Sequence, residues 1–282
     1  MENNRKLIDT NLGHKLQITD IGEGRPVVFI AGWPLANEIF DPQFNFLIQH
    51  GYRAIGITLR GFGGSDRPET KYNFEEFGQD IDAAINHLKL ENAVLCGFSM
   101  GGFIAAYYMS KYSPQRIQKL LLFSCNAPST TIQEGYPFGI TKDAFNGLIS
   151  LIDQDPVSIS DVYGPLFQLN EDIMPLNIGN LINANGQQAS KVAMVNSMIA
   201  TRDTDLRAQL PKISVPTAIF HAVNDNVIPY EIAVQAHRLI PNSTLTTFQD
   251  GGHWIFLLEQ QKFNAELLSF ISLDSMVEVS FS

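Results

Sequence analysis

A short apolar run, Ala93-Val94-Leu95-Cys96, leads into Gly97-Phe98-Ser99-Met100-Gly101, and apolar residues of helical character follow at once over 103–109. This order of strand, sharp turn carrying a serine, and helix is the layout of a nucleophile elbow, and few folds accommodate it. To expose its Oγ, Ser99 must adopt a strained backbone conformation. Gly97 and Gly101 are expected where a Cβ would collide with the neighbouring strand and helix. The helix behind the serine would direct free N–H groups and partial positive charge at a developing oxyanion.

The rest of the chain alternates around this stretch. Strands are expected over 15–19, 26–31, 52–58, 117–124, 216–221 and 244–248, and helices over 42–50, 74–88, 231–239 and 256–271. The continuous apolar run Pro26-Val27-Val28-Phe29-Ile30-Ala31 suits a central parallel strand covered on both faces. Alternation of this kind predicts an α/β fold with a doubly wound, mostly parallel sheet. Residues 129–200 break the alternation with short helical patterns, scattered Pro and Gly, and many Phe, Met, Leu and Ile. Two units are expected: a core of 1–128 with 201–282, and a helical cap insertion of 129–200 above the carboxyl ends of the strands, where open α/β sheets bind ligands.

Composition removes several function classes. The net charge of −10 and the lack of Lys/Arg runs argue against nucleic acid as a partner. No stretch approaches ~18 apolar residues and the start of the chain lacks a signal-type hydrophobic region, so neither membrane nor export is expected and the cytoplasm is the default. The two cysteines, Cys96 and Cys125, read as small core residues with no metal spacing. No phosphate loop or zinc pattern appears, so no cofactor and no metal are expected.

A serine nucleophile needs a base, and the base an orienting acid. Among the six histidines, His253 lies in Asp250-Gly251-Gly252-His253-Trp254, a glycine-rich loop between the last strand and the last helix. His14, His50 and His87 read as solvated and His237 as a helix-surface residue; His221, ending a strand, is a candidate for a supporting group. Asp225 follows the same strand as His221, at the sheet end where Ser99 is expected. Its alternative role is to cap the helix that follows. The segment after the 117–124 strand reads Cys125-Asn126-Ala127 and offers no carboxylate. The backbone N–H of Met100 and that of Trp33, in the loop after Ala31, are the expected oxyanion donors. Trp33 also reads as a packed aromatic.

Together Gly32-Trp33-Pro34-Leu35, Arg60-Gly61-Phe62-Gly63-Gly64-Ser65, the Ser99 motif and Gly252-His253 resemble the α/β-hydrolase superfamily. Together with Gly51-Tyr52-Arg53 and Phe263-Asn264-Ala265-Glu266-Leu267-Leu268-Ser269-Phe270-Ile271, these motifs look like those of its cofactor-free haloperoxidase and arylesterase (perhydrolase) branch. It covers residues 14–271 and implies the α/β-hydrolase fold, with Ser99 as nucleophile, His253 as base, Asp225 as acid, and Trp33 and Met100 as oxyanion donors. The family usually carries His before the glycine of the oxyanion loop, where this chain has Ala31.

The expected chemistry is acyl transfer on a small-molecule ester, a serine carboxylesterase activity. In this branch hydrogen peroxide can replace water and give a peracid. Pro34 reads first as a plain turn proline, and it also fits that chemistry by fixing the loop backbone. Phe138, Phe145, Leu166, Phe167, Met194 and Met198 are the expected apolar pocket residues, or else simply cover the sheet. Lactone and C–C bond hydrolysis remain open, as does a ligand sensor with a slow triad.

Overall fold

The computed structural model describes residues 4–69, 72–112, 114–154 and 174–272. In chain order the elements are β1 (Arg5–Asp9), β2 (Lys15–Ile21), β3 (Pro26–Ile30), α1 (Asp41–Gln49), β4 (Arg53–Ile57), α2 (Phe74–His87), β5 (Ala93–Phe98), α3 (Met100–Tyr112) and β6 (Ile117–Phe123). Then follow α4 (Lys142–Gln154), α5 (Leu176–Gly186), α6 (Lys191–Asp203), β7 (Thr217–Ala222), α7 (Tyr230–Leu239), β8 (Ser243–Phe248), α8 (Ile255–Leu258) and α9 (Gln260–Ser272). Among the described residues the strands form one eight-stranded sheet in the order β1-β2-β4-β3-β5-β6-β7-β8. β1, β2 and β4 pair antiparallel, and every other neighbouring pair is parallel. The alternation predicts this mostly parallel sheet, and the arrangement is the α/β-hydrolase fold that the resemblance implies.

The apolar runs are continuous because each central strand is covered twice. Val28 and Ile30 of β3 face the layer holding Phe77, Ile81, Phe103 and Ala233, while Val27 and Phe29 face Phe44, Phe256, Phe263 and Leu267. Helices α2, α3 and α7 therefore lie on one face, and α1 and α9 on the other. Asn73 caps α2 by accepting from the Glu76 N–H at 3.0 Å, and Glu75 and Glu76 favour that helix end. Cys96 and Cys125 are both buried free thiols, and burial pushes the Cys125 thiol up to about 12.

Sequence reading misses β1. Only Ile8 of its five residues is buried, so the strand carries almost no apolar alternation. Its place at the sheet edge comes from pairing with β2. His14 is also a correction. Far from solvated, its Nε2 lies 2.7 Å from Asp80 Oδ1, and Asp80 binds Arg60 through Nε at 2.9 Å and Nη2 at 2.7 Å. Arg60 adds Glu76 at 2.9 Å. This cluster ties the loops before β2 and after β4 to α2.

Asp80 is fully buried and Arg60 is 2 % exposed. Breaking such a pair from one side leaves an uncompensated charge, which costs about 3–5 kcal/mol. Asp80→Ala is expected to lower stability by that amount in urea denaturation. A loss below ~1 kcal/mol would mean that Glu76 alone satisfies the guanidinium.

Candidate active site

Ser99 stands between β5 and α3 with φ +52°, the left-handed region that bulky residues avoid. Its N–H donates to the Phe123 carbonyl at 3.0 Å and its carbonyl accepts from Phe103 N–H at 3.0 Å, which closes the turn from both sides. The glycines are required by contact. A Cβ on Gly97 would lie 2.4 Å from Gly102 Cα, and one on Gly101 would lie 2.3 Å from the Ala31 carbonyl oxygen.

His253 reaches the serine from the loop after β8. Its Nε2 is 3.1 Å from Ser99 Oγ and its Nδ1 is 2.9 Å from Asp225 Oδ2. The ring packs 4.9 Å from that of Phe98 and 5.7 Å from that of Trp254, measured between centroids. Asp225 sits in the loop after β7. Its Oδ1 accepts from the N–H groups of Val227 at 2.8 Å and Ile228 at 2.9 Å. It thus shapes its own loop rather than capping α7, whose N-cap is Pro229. Burial alone would push the Asp225 carboxyl up. Attraction to His253 and hydrogen bonds from His221 and His253 outweigh that and hold it well below the ordinary carboxylate range.

His221 is fully buried behind the pair. Its Nε2 donates to the Ile228 carbonyl at 2.8 Å and lies 3.3 Å from Asp225 Oδ2. Since a carbonyl only accepts, Nε2 carries the hydrogen. Two residues that sequence reading passed over brace the His253 loop. Asn224 accepts from Gly252 N–H at 3.0 Å and donates to the Asp250 carbonyl at 3.2 Å. Glu259 accepts from Gly251 N–H at 2.8 Å.

Ser99, Trp33 and Met100 line one cavity of about 280 Å³, with Asn126, Thr130, Ile140, Phe145, Leu148, Met198, Val227 and Ile228 around them. Of the expected pocket residues, the structure brings Phe145 and Met198 here. Met194 is not on the wall: it is buried in the layer beneath, and its carbonyl accepts from Trp33 Nε1 at 3.2 Å. Phe138 is not there either, its ring meeting Tyr136 edge-on at 5.2 Å. Apolar character suits wall and underlying core alike, so composition could not separate these positions. Leu166 and Phe167 lie outside the described residues. Asn126, just past β6, is the polar wall residue nearest Ser99, its Oδ1 3.4 Å from Oγ; its only sequence signal is its place after a central strand.

Among the described residues no charged side chain lines this cavity. Among the described residues no group of three or more His, Cys, Asp or Glu could hold a metal ion, and no helix is long and apolar enough to cross a membrane. An imidazole held between a carboxylate and a serine hydroxyl can draw the hydroxyl proton as Oγ attacks an electrophilic carbon.

The alpha/beta hydrolase fold family matches residues 25–260. The chain is 38 % identical to the AB hydrolase superfamily protein YisY of Bacillus subtilis over 258 residues, spanning 90 % of this chain and 94 % of that one. It is 34 % identical to a putative non-heme chloroperoxidase of Synechocystis over 261 residues, 89 % and 93 % of the two chains. An esterase from Exiguobacterium antarcticum superposes with a TM-score of 0.91 at 39 % identity, covering 95 % of this chain and 99 % of that one. By sequence and by fold, this chain belongs to the α/β-hydrolase family, in the branch that resembles the non-heme haloperoxidases.

Proposed function

We propose that this protein is a serine carboxylesterase acting on small, uncharged, apolar esters. The observation that carries the reading is the unbroken chain from Asp225 Oδ2 through His253 to Ser99 Oγ, at 2.9 and 3.1 Å, opening onto a cavity that no charged side chain lines among the described residues. His253 takes the Ser99 proton as Oγ attacks the ester carbonyl, and the N–H groups of Trp33 and Met100 receive the oxyanion. Collapse releases the alcohol with the proton from His253. Water, activated by the same imidazole, then releases the acid. Asp225 holds the ring in one tautomer and favours the imidazolium that forms. The segment 129–200 acts as the cap that closes the cavity over the acyl chain, through Phe145 and Met198.

The likeness to a chloroperoxidase and to an esterase supports a second outcome for the same acyl-enzyme. Hydrogen peroxide attacking in place of water gives a peracid. Pro34, adjoining Trp33, fixes the loop backbone beside the acyl carbon. With acetate, bromide and millimolar peroxide, the peracid oxidises bromide, and monochlorodimedone bromination should be measurable but slower than ester hydrolysis. Undetectable bromination would confine the enzyme to hydrolysis.

Ser99→Ala should lower kcat for p-nitrophenyl acetate and butyrate about a thousandfold or more. Equal activity in the two proteins would remove Ser99 from the chemistry. Saturable ligand binding without turnover in the wild type would point to a sensor instead.

Asp225→Asn separates chemistry from stability. The activity should fall about 10⁴-fold, as expected when the base loses its orienting carboxylate. The folded carboxyl sits below its unfolded value near ~3.9, so its stabilisation is complete above that pH and fades as pH falls toward the folded value. The unfolding free energy of the wild type should therefore drop more steeply below about pH 4 than that of the variant. Parallel slopes would mean that the carboxyl titrates alike in folded and unfolded chains.

A further inference from the structure

Acylation of Ser99 would strip a buried acceptor of its partner. Besides His253, the Ser99 hydroxyl has Asn126, whose Oδ1 lies 3.4 Å from Oγ. Asn126 is 6 % exposed, and its amide nitrogen donates to Thr130 Oγ1 at 3.3 Å, which leaves the carbonyl oxygen toward the serine. Because β5 lies between β3 and β6, Asn126 meets Ser99 from the side opposite the Trp33 loop. Both residues line the cavity. In the resting site the single Ser99 hydrogen lies between two acceptors, His253 Nε2 and Asn126 Oδ1. Once Oγ is esterified that hydrogen is gone, and an amide oxygen in an apolar wall is left without a donor, which is unfavourable.

We propose that Asn126 positions the water that deacylates the enzyme, an inference that rests on the acyl-serine reading above. Its Oδ1 accepts one hydrogen of the water while His253 Nε2 takes the other. The water O–H bond toward His253 breaks as its oxygen bonds to the acyl carbon. When the acyl–Oγ bond breaks, the imidazolium returns the proton to Oγ. The hydrogen held by Asn126 leaves with the carboxylic acid, and the Ser99 hydroxyl again faces Oδ1. Asn126 therefore restrains the attacking oxygen by its second hydrogen, while His253 holds the first. An alcohol has only one hydroxyl hydrogen, and His253 needs it. Water should depend on Asn126 and methanol should not.

The test uses Asn126→Leu, which keeps the branched skeleton and removes the acceptor, and Asn126→Ala, which cannot overpack the site. Each is assayed on p-nitrophenyl acetate with methanol as competing nucleophile, measuring acetate, methyl acetate and the pre-steady-state release of p-nitrophenol. Without methanol, kcat should fall about tenfold, the scale of one neutral hydrogen bond. KM should fall in step, so that kcat/KM stays within about twofold, because only the step after acylation is slowed. A burst approaching the enzyme concentration should appear, and the ratio of methyl acetate to acetate should rise about tenfold. An unchanged product ratio in an active variant overturns the inference and leaves the acyl-serine reading intact. So does a fall in kcat/KM matching that in kcat, which would assign Asn126 to acylation or to the fold. A wild type without esterase activity, or a Ser99→Ala variant as active as the wild type, brings down both.

Discussion

The first turn of α3 touches the end of β3, and the site depends on that contact. The approach is close enough that a methyl group on Gly101 would stand 2.3 Å from the Ala31 carbonyl oxygen and 2.4 Å from that of Ile30. With helix and strand fixed at this distance, the residue between β5 and α3 has no room to continue an extended chain. Ser99 takes the left-handed conformation, which costs about 1–2 kcal/mol for a residue with a side chain. Hydrogen bonds of its own backbone to Phe123 and Phe103 offset the strain. The same contact brings the helix N-terminus beside the loop carrying Trp33. One steric limit thus sets the serine's conformation and the position of the helix end beside it.

The second constraint is electrostatic. A buried carboxylate is tolerable only when its lone pairs are filled. Asp225 divides the work: Oδ1 accepts two backbone N–H groups of its own loop, and Oδ2 faces two imidazoles. The loop bonds fix where the carboxylate points, and the imidazoles hold it ionised. Asn224, one residue earlier, joins this loop to the His253 loop from both its donor and its acceptor ends. The distance from Asp225 to His253 is therefore set by backbone, not by two free side chains. That is the preorganisation an acid–base relay needs.

Physics explains which parts of this were legible in the sequence. The elbow was legible because steric necessity selects glycine, and glycines at that spacing are visible in one chain. His253 and Asp225 were legible because loops at strand ends advertise themselves through Gly, Asn and Pro. The central strands were legible as continuous apolar runs. β1 was not, since an edge strand with one buried residue owes its structure to its partner. His14 was misread because Asp80, its partner, is 66 positions away and nothing local marks the pairing. Phe145 and Met198 reach the cavity while Met194 supports the wall behind it, a distinction of side-chain direction that apolar character does not encode. Asn126 was passed over because the search at that position was for a carboxylate.

The helices between β6 and β7 do more than cover the sheet, because they hold the loop that carries Trp33. Trp33 Nε1 donates to the Met194 carbonyl in α6, and the Ala36 N–H donates to Asn185 Oδ1 in α5 at 2.7 Å. Further along, Ser190 N–H donates to the Gly61 carbonyl at 2.8 Å, and Leu206 N–H to that of Pro128 at 2.8 Å. α6 therefore presents Met198 to the cavity while it anchors the loop through Met194, four residues away. Cavity shape and loop position are set by one helix. A rigid displacement of α6 that enlarges the cavity also shifts the acceptor that holds Trp33. The shape of this cavity is consequently tied to the position of the Trp33 loop, and side-chain exchange within α6 is a freer route to a new pocket than movement of the helix.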